Sequence, residues 1–131
     1  MPLTRISLRA GTTESYRAAL VAGVYDAMRE TFAVPEGDLF ALVHQHDASD
    51  FVYGPDYLGI RRSDRLVIVQ ITANATRGTA QKRALYAAVT RNLARDPGVA
   101  PGDVFINLVE VNPENWSFGE GLMQYLSLIH I

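Results

Sequence analysis

Pro2, directly behind the initiator Met1, can supply chemistry that no other residue type offers. Methionine is usually removed ahead of a residue this small, and the chain then begins with a free prolyl nitrogen. That nitrogen is a secondary amine. Desolvation or nearby cations lower its pKa, so it can act as a general base or acid near neutral pH. The same dipeptide is also a flexible leader in many proteins, so Pro2 needs partners. Arg77 is one candidate: it stands just before Gly78-Thr79, a predicted helix start with free backbone N–H groups and the positive end of a helix dipole. An arginine there makes a carboxylate site; the alternative is a solvated loop arginine. Trp116 and Phe118 are apolar walls that would desolvate an amine, or else core or subunit-interface residues. In such a pocket a neutral prolyl nitrogen takes a proton alpha to a carbonyl and returns it elsewhere, which is keto–enol tautomerisation of a 2-oxo acid. A protonated nitrogen instead polarises a carbonyl, which suits decarboxylation or water addition.

Asp38 and the histidines are more ambiguous. Asp38 follows Gly37 at the start of a predicted strand, and Asp103 follows Gly102 in the same setting. An aspartate there often caps a turn, so Asp38 has both a structural and a functional reading. His44 and His46 alternate along one strand face and are followed by Asp47, but they have no third clear metal ligand. A polar wall or interface is the expectation, with no metal. Tyr53 and Tyr57 lie in a middle loop within reach of a pocket. No Gly-rich phosphate loop, Ser-His-Asp order or zinc spacing is present.

The elements that must position these residues come as a repeat. Ala33-Val34-Pro35-Glu36-Gly37-Asp38-Leu39-Phe40 parallels Val99-Ala100-Pro101-Gly102-Asp103-Val104-Phe105, with the two Gly-Asp pairs 65 residues apart. In the first half, Leu3 to Arg9 reads as a strand with Ile6 and Leu8 on one face. Thr12 or Thr13 caps a helix to about Thr31, whose stripe is Tyr16, Leu20, Val24 and Met28 with Val21 beside it. Phe40 to Gln45 is the next strand. In the second half, Leu66 to Ala73 is a strand, and Gly78-Thr79 opens a helix with Leu85, Ala88, Val89 and Leu93 inward. Asp96-Pro97-Gly98 ends that helix, and Val104 to Val111 is a strand. Right-handed β-α-β crossovers make each strand pair parallel. The expected fold is α+β, two layers: a tandem β-α-β repeat (about 2–46 and 66–111) giving a four-stranded mixed sheet with two helices on one face. Residues 47–65 form a long loop with a short strand at Tyr57 to Ile60, and Arg61 to Arg65 is a solvated run. The bare sheet face carries apolar residues, and copies of the chain are the simplest cover for it.

Composition sets the remaining bounds. The 131 residues suit one domain, and the apolar and charged fractions, 48% and 20%, are ordinary for a soluble globular chain. A net charge of −2 makes no case for nucleic acid or an anionic membrane, and the absence of cysteine excludes disulfides and thiolate chemistry. No run is long enough for a membrane span, and no signal-peptide order appears, so a cytoplasmic setting is expected. The closing hexapeptide, 126–131, follows Tyr125 without a turn signal and resembles the translation of a transposon-end adapter. The domain is therefore taken as 1–125, with 126–131 a non-native tail; the alternative is an apolar tail packed on a neighbouring subunit.

Pro2, the Val34-Pro35 to Asp38 turn, Gln81-Lys82 early in the second helix and Trp116-Ser117-Phe118-Gly119 together resemble the tautomerase superfamily, over Pro2 to about Gly121. The pattern is most similar to the branch that includes malonate semialdehyde decarboxylase. The resemblance implies a homotrimeric enzyme without cofactor, with Pro2 as acid or base and Asp38 orienting or activating water. It also implies an aromatic wall at Trp116 and Phe118, with further apolar wall residues in the tail. Decarboxylase relatives carry two arginines separated by one residue before the second helix; here the positions are Ala75 and Arg77, so one remains. The implied substrate is a small carboxylate held by Arg77. Tautomerisation of a 2-oxo or enol acid stands first. Decarboxylation or hydration of a 3-oxo or unsaturated acid is the enzyme alternative. A ferredoxin-like small-molecule-binding module, which shares the β-α-β-β-α-β order, is the non-enzyme one.

Overall fold

The computed structural model describes residues 2–129. His130 and Ile131, the end of the hexapeptide expected to be non-native, lie outside the described residues. The elements are β1 (Leu3–Arg9), α1 (Glu14–Phe32), β2 (Ala41–His46), β3 (Val67–Asn74), α2 (Thr79–Arg95), β4 (Val104–Val111) and α3 (Gln124–Ile129), with short 3₁₀ turns between them. The sheet order is β2-β1-β3-β4. β1 pairs with β2 in parallel, β3 with β4 in parallel, and β1 with β3 antiparallel. This is the expected tandem β-α-β sheet.

Local chemistry explains the helix limits. The Thr13 side chain accepts the Tyr16 N–H at 3.1 Å and caps α1. Gly78 precedes α2 with extended backbone and no side-chain cap, which leaves that helix start without an internal partner. Thr4, Ile6 and Leu8 of β1 and Val67, Val69, Ile71 and Ala73 of β3 are buried against the helices. They meet Leu20, Val24, Ala27 and Met28 of α1 and Leu85, Ala88, Val89 and Leu93 of α2 in one core. The helices touch at Gly23, where an added Cβ would lie 2.8 Å from Leu93 Cδ2. Buried Asn92 donates to Gly23 O at 3.0 Å, which satisfies its amide inside that contact.

The repeat extends to individual hydrogen bonds. Ala10 N donates to His46 O and Ala75 N to Val111 O; Asp38 N donates to Pro35 O and Asp103 N to Ala100 O. Each bond recurs 65 residues on. After β2 a 3₁₀ turn covers Ala48–Asp50, and after β4 another covers Pro113–Asn115.

Two expectations change. Tyr57 to Ile60 is not a strand but a 3₁₀ turn over Tyr57–Gly59, with Leu58 at φ 61. Its backbone groups are used locally: Gly59 N donates to Asp56 O and Ile60 N to Tyr57 O. Arg62 Nη1 gathers the carbonyls of Gly54, Tyr57 and Ile60, which takes those groups away from a ladder. Arg62 is thereby a loop organiser inside the run expected to be solvated. The bare sheet face carries apolar residues, as expected, beside a polar band. Exposed Leu42, Phe105 and Val109 flank a polar band of Arg5, Gln70 and Asn107. Among the described residues no helix is long and apolar enough to cross a membrane.

Candidate active site

Topology gathers the candidate residues at one end of the sheet. β1 and β2 start there, and β3 and β4 end there. Pro2 precedes β1, Asp38 and Phe40 precede β2, Asn74 and Arg77 follow or close β3, and Trp116 to Phe118 follow β4. Thr4 N donates to Phe40 O at 3.0 Å and ties the first two starts together. Pro2 is buried. It lines a cavity of about 220 Å³ with Leu3, Phe40, Trp116, Ser117 and Phe118. Larger cavities open elsewhere, but this is the one that pairs Pro2 with the predicted aromatic wall.

The wall is a chain of ring contacts. Trp116 stacks on Phe118, centroids 5.3 Å apart, and Phe118 meets Tyr125 of α3 edge-on at 5.1 Å. Trp116 Nε1 donates to Asn74 Oδ1 at 2.8 Å. The Asn74 side chain also favours the ionised form of the Tyr125 hydroxyl. Burial, followed by the Asp38 charge, still pushes the Tyr125 hydroxyl above the ordinary phenol range.

Asp38 and Arg77 flank this wall without lining the cavity itself. The Asp38 charge raises the Tyr125 pKa and the Arg77 charge lowers it. Arg77 is half-buried, donates Nη2 to Phe32 O at 2.9 Å and lies 4.6 Å from the Phe32 ring centroid. The α1 C-terminus thus holds the arginine beside the α2 start. Sequence reasoning missed Phe40, Asn74 and Tyr125. Phe40 was legible as the counterpart of Phe105. Asn74 and Tyr125 carry no local signal, because only the sheet end and α3 bring them to Trp116.

The two repeat aspartates separate in the structure. Asp103 is buried and accepts from Ser63 N at 2.7 Å and Ser63 Oγ at 2.6 Å. Asp38 Oδ1 is buried with no hydrogen-bond partner among the described residues. Burial raises the Asp38 carboxyl pKa, opposed by the positive charge of the amino terminus. A turn cap satisfies its oxygens, as Asp103 does; half-buried Asp38, with Oδ1 unpartnered, makes no such cap among the described residues. The pH sign follows. A carboxyl whose folded pKa lies above its unfolded value costs nothing at low pH, and it lowers stability as pH rises through the folded pKa. Asp38→Asn is therefore expected to raise Tm at pH 7, with the gain fading below the ordinary carboxyl value of 3.8. Asp103→Asn is expected to lower stability by about 1–3 kcal/mol through lost charge-assisted bonds. Thermal melts of both variants at pH 7 and pH 3.5 check this.

His44 Nε2 lies 3.2 Å from Arg5 Nη1, and His46 packs on Phe51 with centroids 5.8 Å apart. Both sit away from the Pro2 end. Tyr53 donates to Asp64 at 2.7 Å and also lies elsewhere.

Comparison with known proteins agrees in extent and kind. A family model described as "Tautomerase enzyme" matches residues 38–119, and a second of the same description matches residues 2–61. The chain is 37% identical over 126 residues to probable tautomerase YusQ of Bacillus subtilis (strain 168), covering 96% of this chain and 99% of that one. It is 38% identical to FG41 malonate semialdehyde decarboxylase inhibited by 3-bromopropiolate, with a TM-score of 0.90 and 97% and 96% of the two chains covered. A second malonate semialdehyde decarboxylase, described with decarboxylase and hydratase activities, is 32% identical at a TM-score of 0.91, covering 98% and 99%.

Proposed function

This chain belongs to the tautomerase family, and from that premise we propose that it is a cofactor-independent enzyme using Pro2 as its acid–base group. The observation that carries the reading is the burial of Pro2 in one cavity with Trp116 and Phe118. The preferred substrate is a small 2-oxo or enol acid. Once Met1 is removed, the prolyl nitrogen is a secondary amine in an apolar cavity, and desolvation favours its neutral form. It takes the hydroxyl proton of the enol and returns a proton to the neighbouring carbon. The carbon–carbon double bond becomes the carbon–oxygen bond of the ketone, and the amine is regenerated. Arg77, beside the α2 start, binds the substrate carboxylate. Trp116 and Phe118 hold the flat organic body, and Asp38 is an auxiliary polar group.

A second reading rests on the likeness to the two decarboxylases. A protonated Pro2 would polarise the carbonyl of a 3-oxo acid while its carboxylate departs as carbon dioxide, or would favour water addition to an unsaturated acid. Ala75 in place of a first arginine leaves one cation for that work, which favours tautomerisation. The assembly is proposed as a homotrimer in a cytoplasmic setting; exposed Leu42 and Val109 on the open sheet face support association. The domain is read as 1–125. The deciding experiment compares phenylenolpyruvate ketonisation with malonate semialdehyde decarboxylation, using protein whose first residue is verified as Pro2. Faster turnover of the enol supports the first reading and faster loss of carbon dioxide the second. Absence of both points to the ligand-binding module.

A further inference from the structure

The repeat builds a second pocket at the opposite end of the sheet. Adding or subtracting 65 carries Leu3, Phe40, Ser117 and Phe118 of the Pro2 cavity onto Ile68, Phe105, Val52 and Tyr53. All four of those residues line a separate cavity of about 350 Å³. The match is structural as well as numerical. Phe51 ends its 3₁₀ turn as Trp116 ends the other, with Phe51 N bonded to Ala48 O and Trp116 N to Pro113 O. The Phe51 ring lies tilted against Tyr53 with centroids 6.3 Å apart, in the place where Trp116 stacks on Phe118.

The groups proposed for chemistry are absent from this twin. Val67 stands at the place of Pro2, in mid-chain, so its nitrogen is an amide. Thr12 stands at the place of Arg77. Asp103, the counterpart of Asp38, is bound by Ser63 through both oxygens. Two of the polar groups on the pocket's own wall are already engaged. Tyr53 donates to Asp64 at 2.7 Å, and Arg62 Nη1 serves three carbonyls. What faces the cavity is then aromatic and aliphatic: Tyr53, Tyr57, Phe105, Ile68, Leu66 and Val52. Its volume lies in the range of small-molecule pockets, and a lining that is mostly aromatic and aliphatic favours a flat apolar ring.

We propose that this twin pocket is a second, non-catalytic binding site that takes a flat, uncharged aromatic molecule. The site keeps the shape of the proposed substrate pocket, is larger than it, and has lost the base and the cation. It binds independently of turnover, so its test stands apart from that of Pro2.

The experiment is a titration of the assembled, Pro2-verified protein with indole, followed by amide chemical shifts. The expected result is saturable movement of the Val52, Tyr53, Gly54 and Phe105 amides. Val52 is 90% exposed, so Val52→Arg leaves the core intact and places a charge at the pocket mouth. That variant is expected to weaken indole binding at least tenfold while enol ketonisation is unchanged. Tyr57→Ala, which removes an exposed wall, should weaken binding in the same direction. The proposal is overturned if those four amides stay still up to the solubility limit, as they would if another copy of the chain covered the pocket. Movement confined to Ser117 and Phe118, or equal movement in Val52→Arg, also overturns it.

Discussion

Protein carrying one extra residue ahead of Pro2 is expected to lose about 10²–10⁴-fold in kcat/KM for phenylenolpyruvate, the range supplied by a positioned acid–base group. The extension turns the prolyl nitrogen into an amide, which has no basic lone pair at neutral pH. It changes no side chain, so the Trp116–Asn74 bond and the Trp116–Phe118 stack should persist. Pro2→Ala is expected to lose less, because it keeps a terminal amine in the same place. Steady-state kinetics with matched thermal melts and sedimentation read the three proteins. An extended protein with an unchanged rate would exclude prolyl catalysis and revive the binding-module reading. The result also bears on biosynthesis, since protein that retained Met1 would be inactive for the same chemical reason.

Arg77→Ala is the second large effect. A charge-assisted bond to a carboxylate contributes about 1.5–3 kcal/mol, so kcat/KM for an enol acid should fall roughly 10- to 100-fold, mostly through KM. The variant also loses the Nη2 bond to Phe32 O and the contact with the Phe32 ring. A stability loss of about 1 kcal/mol should accompany it. The two consequences separate with a neutral ester of the same enol. If Arg77 binds the carboxylate, the ester is turned over slowly by both proteins and the variant makes little difference. An equal loss on acid and ester would mean that Arg77 only supports the α1–α2 junction. Arg77→Lys is expected to recover part of KM, because a point charge replaces the fork without its geometry.

The strands, both long helices and the tandem order were legible because they depend on short-range pattern. Ile6 and Leu8, or Leu85, Val89 and Leu93, face one way by backbone periodicity alone. Pro2 was legible because its chemistry comes from its position at the chain's start, and Trp116 and Phe118 because they form a compact, unusual segment. Asp38 was not decidable: its local sequence matches that of Asp103. The structure gives Asp103 a partner, Ser63, 40 residues away, and gives Asp38 none among the described residues. Asn74 and Tyr125 were invisible for a related reason. Their roles depend on a sheet end and a terminal helix converging on Trp116, across 42 residues in the case of Asn74. Tyr57 to Ile60 reads as extended from local pattern, but Arg62, two residues beyond that stretch, captures its carbonyls. The sequence by itself therefore determined the elements, their repeat and the residue types able to do chemistry, since these follow from nearest-neighbour sterics and hydrophobic period. Only the tertiary structure decided which side chains join Pro2 at its end of the sheet, Asn74 and Tyr125 among them, and which of two locally equivalent aspartates finds a partner. That depends on hydrogen bonds and burial between segments far apart in the chain, and no local pattern encodes them.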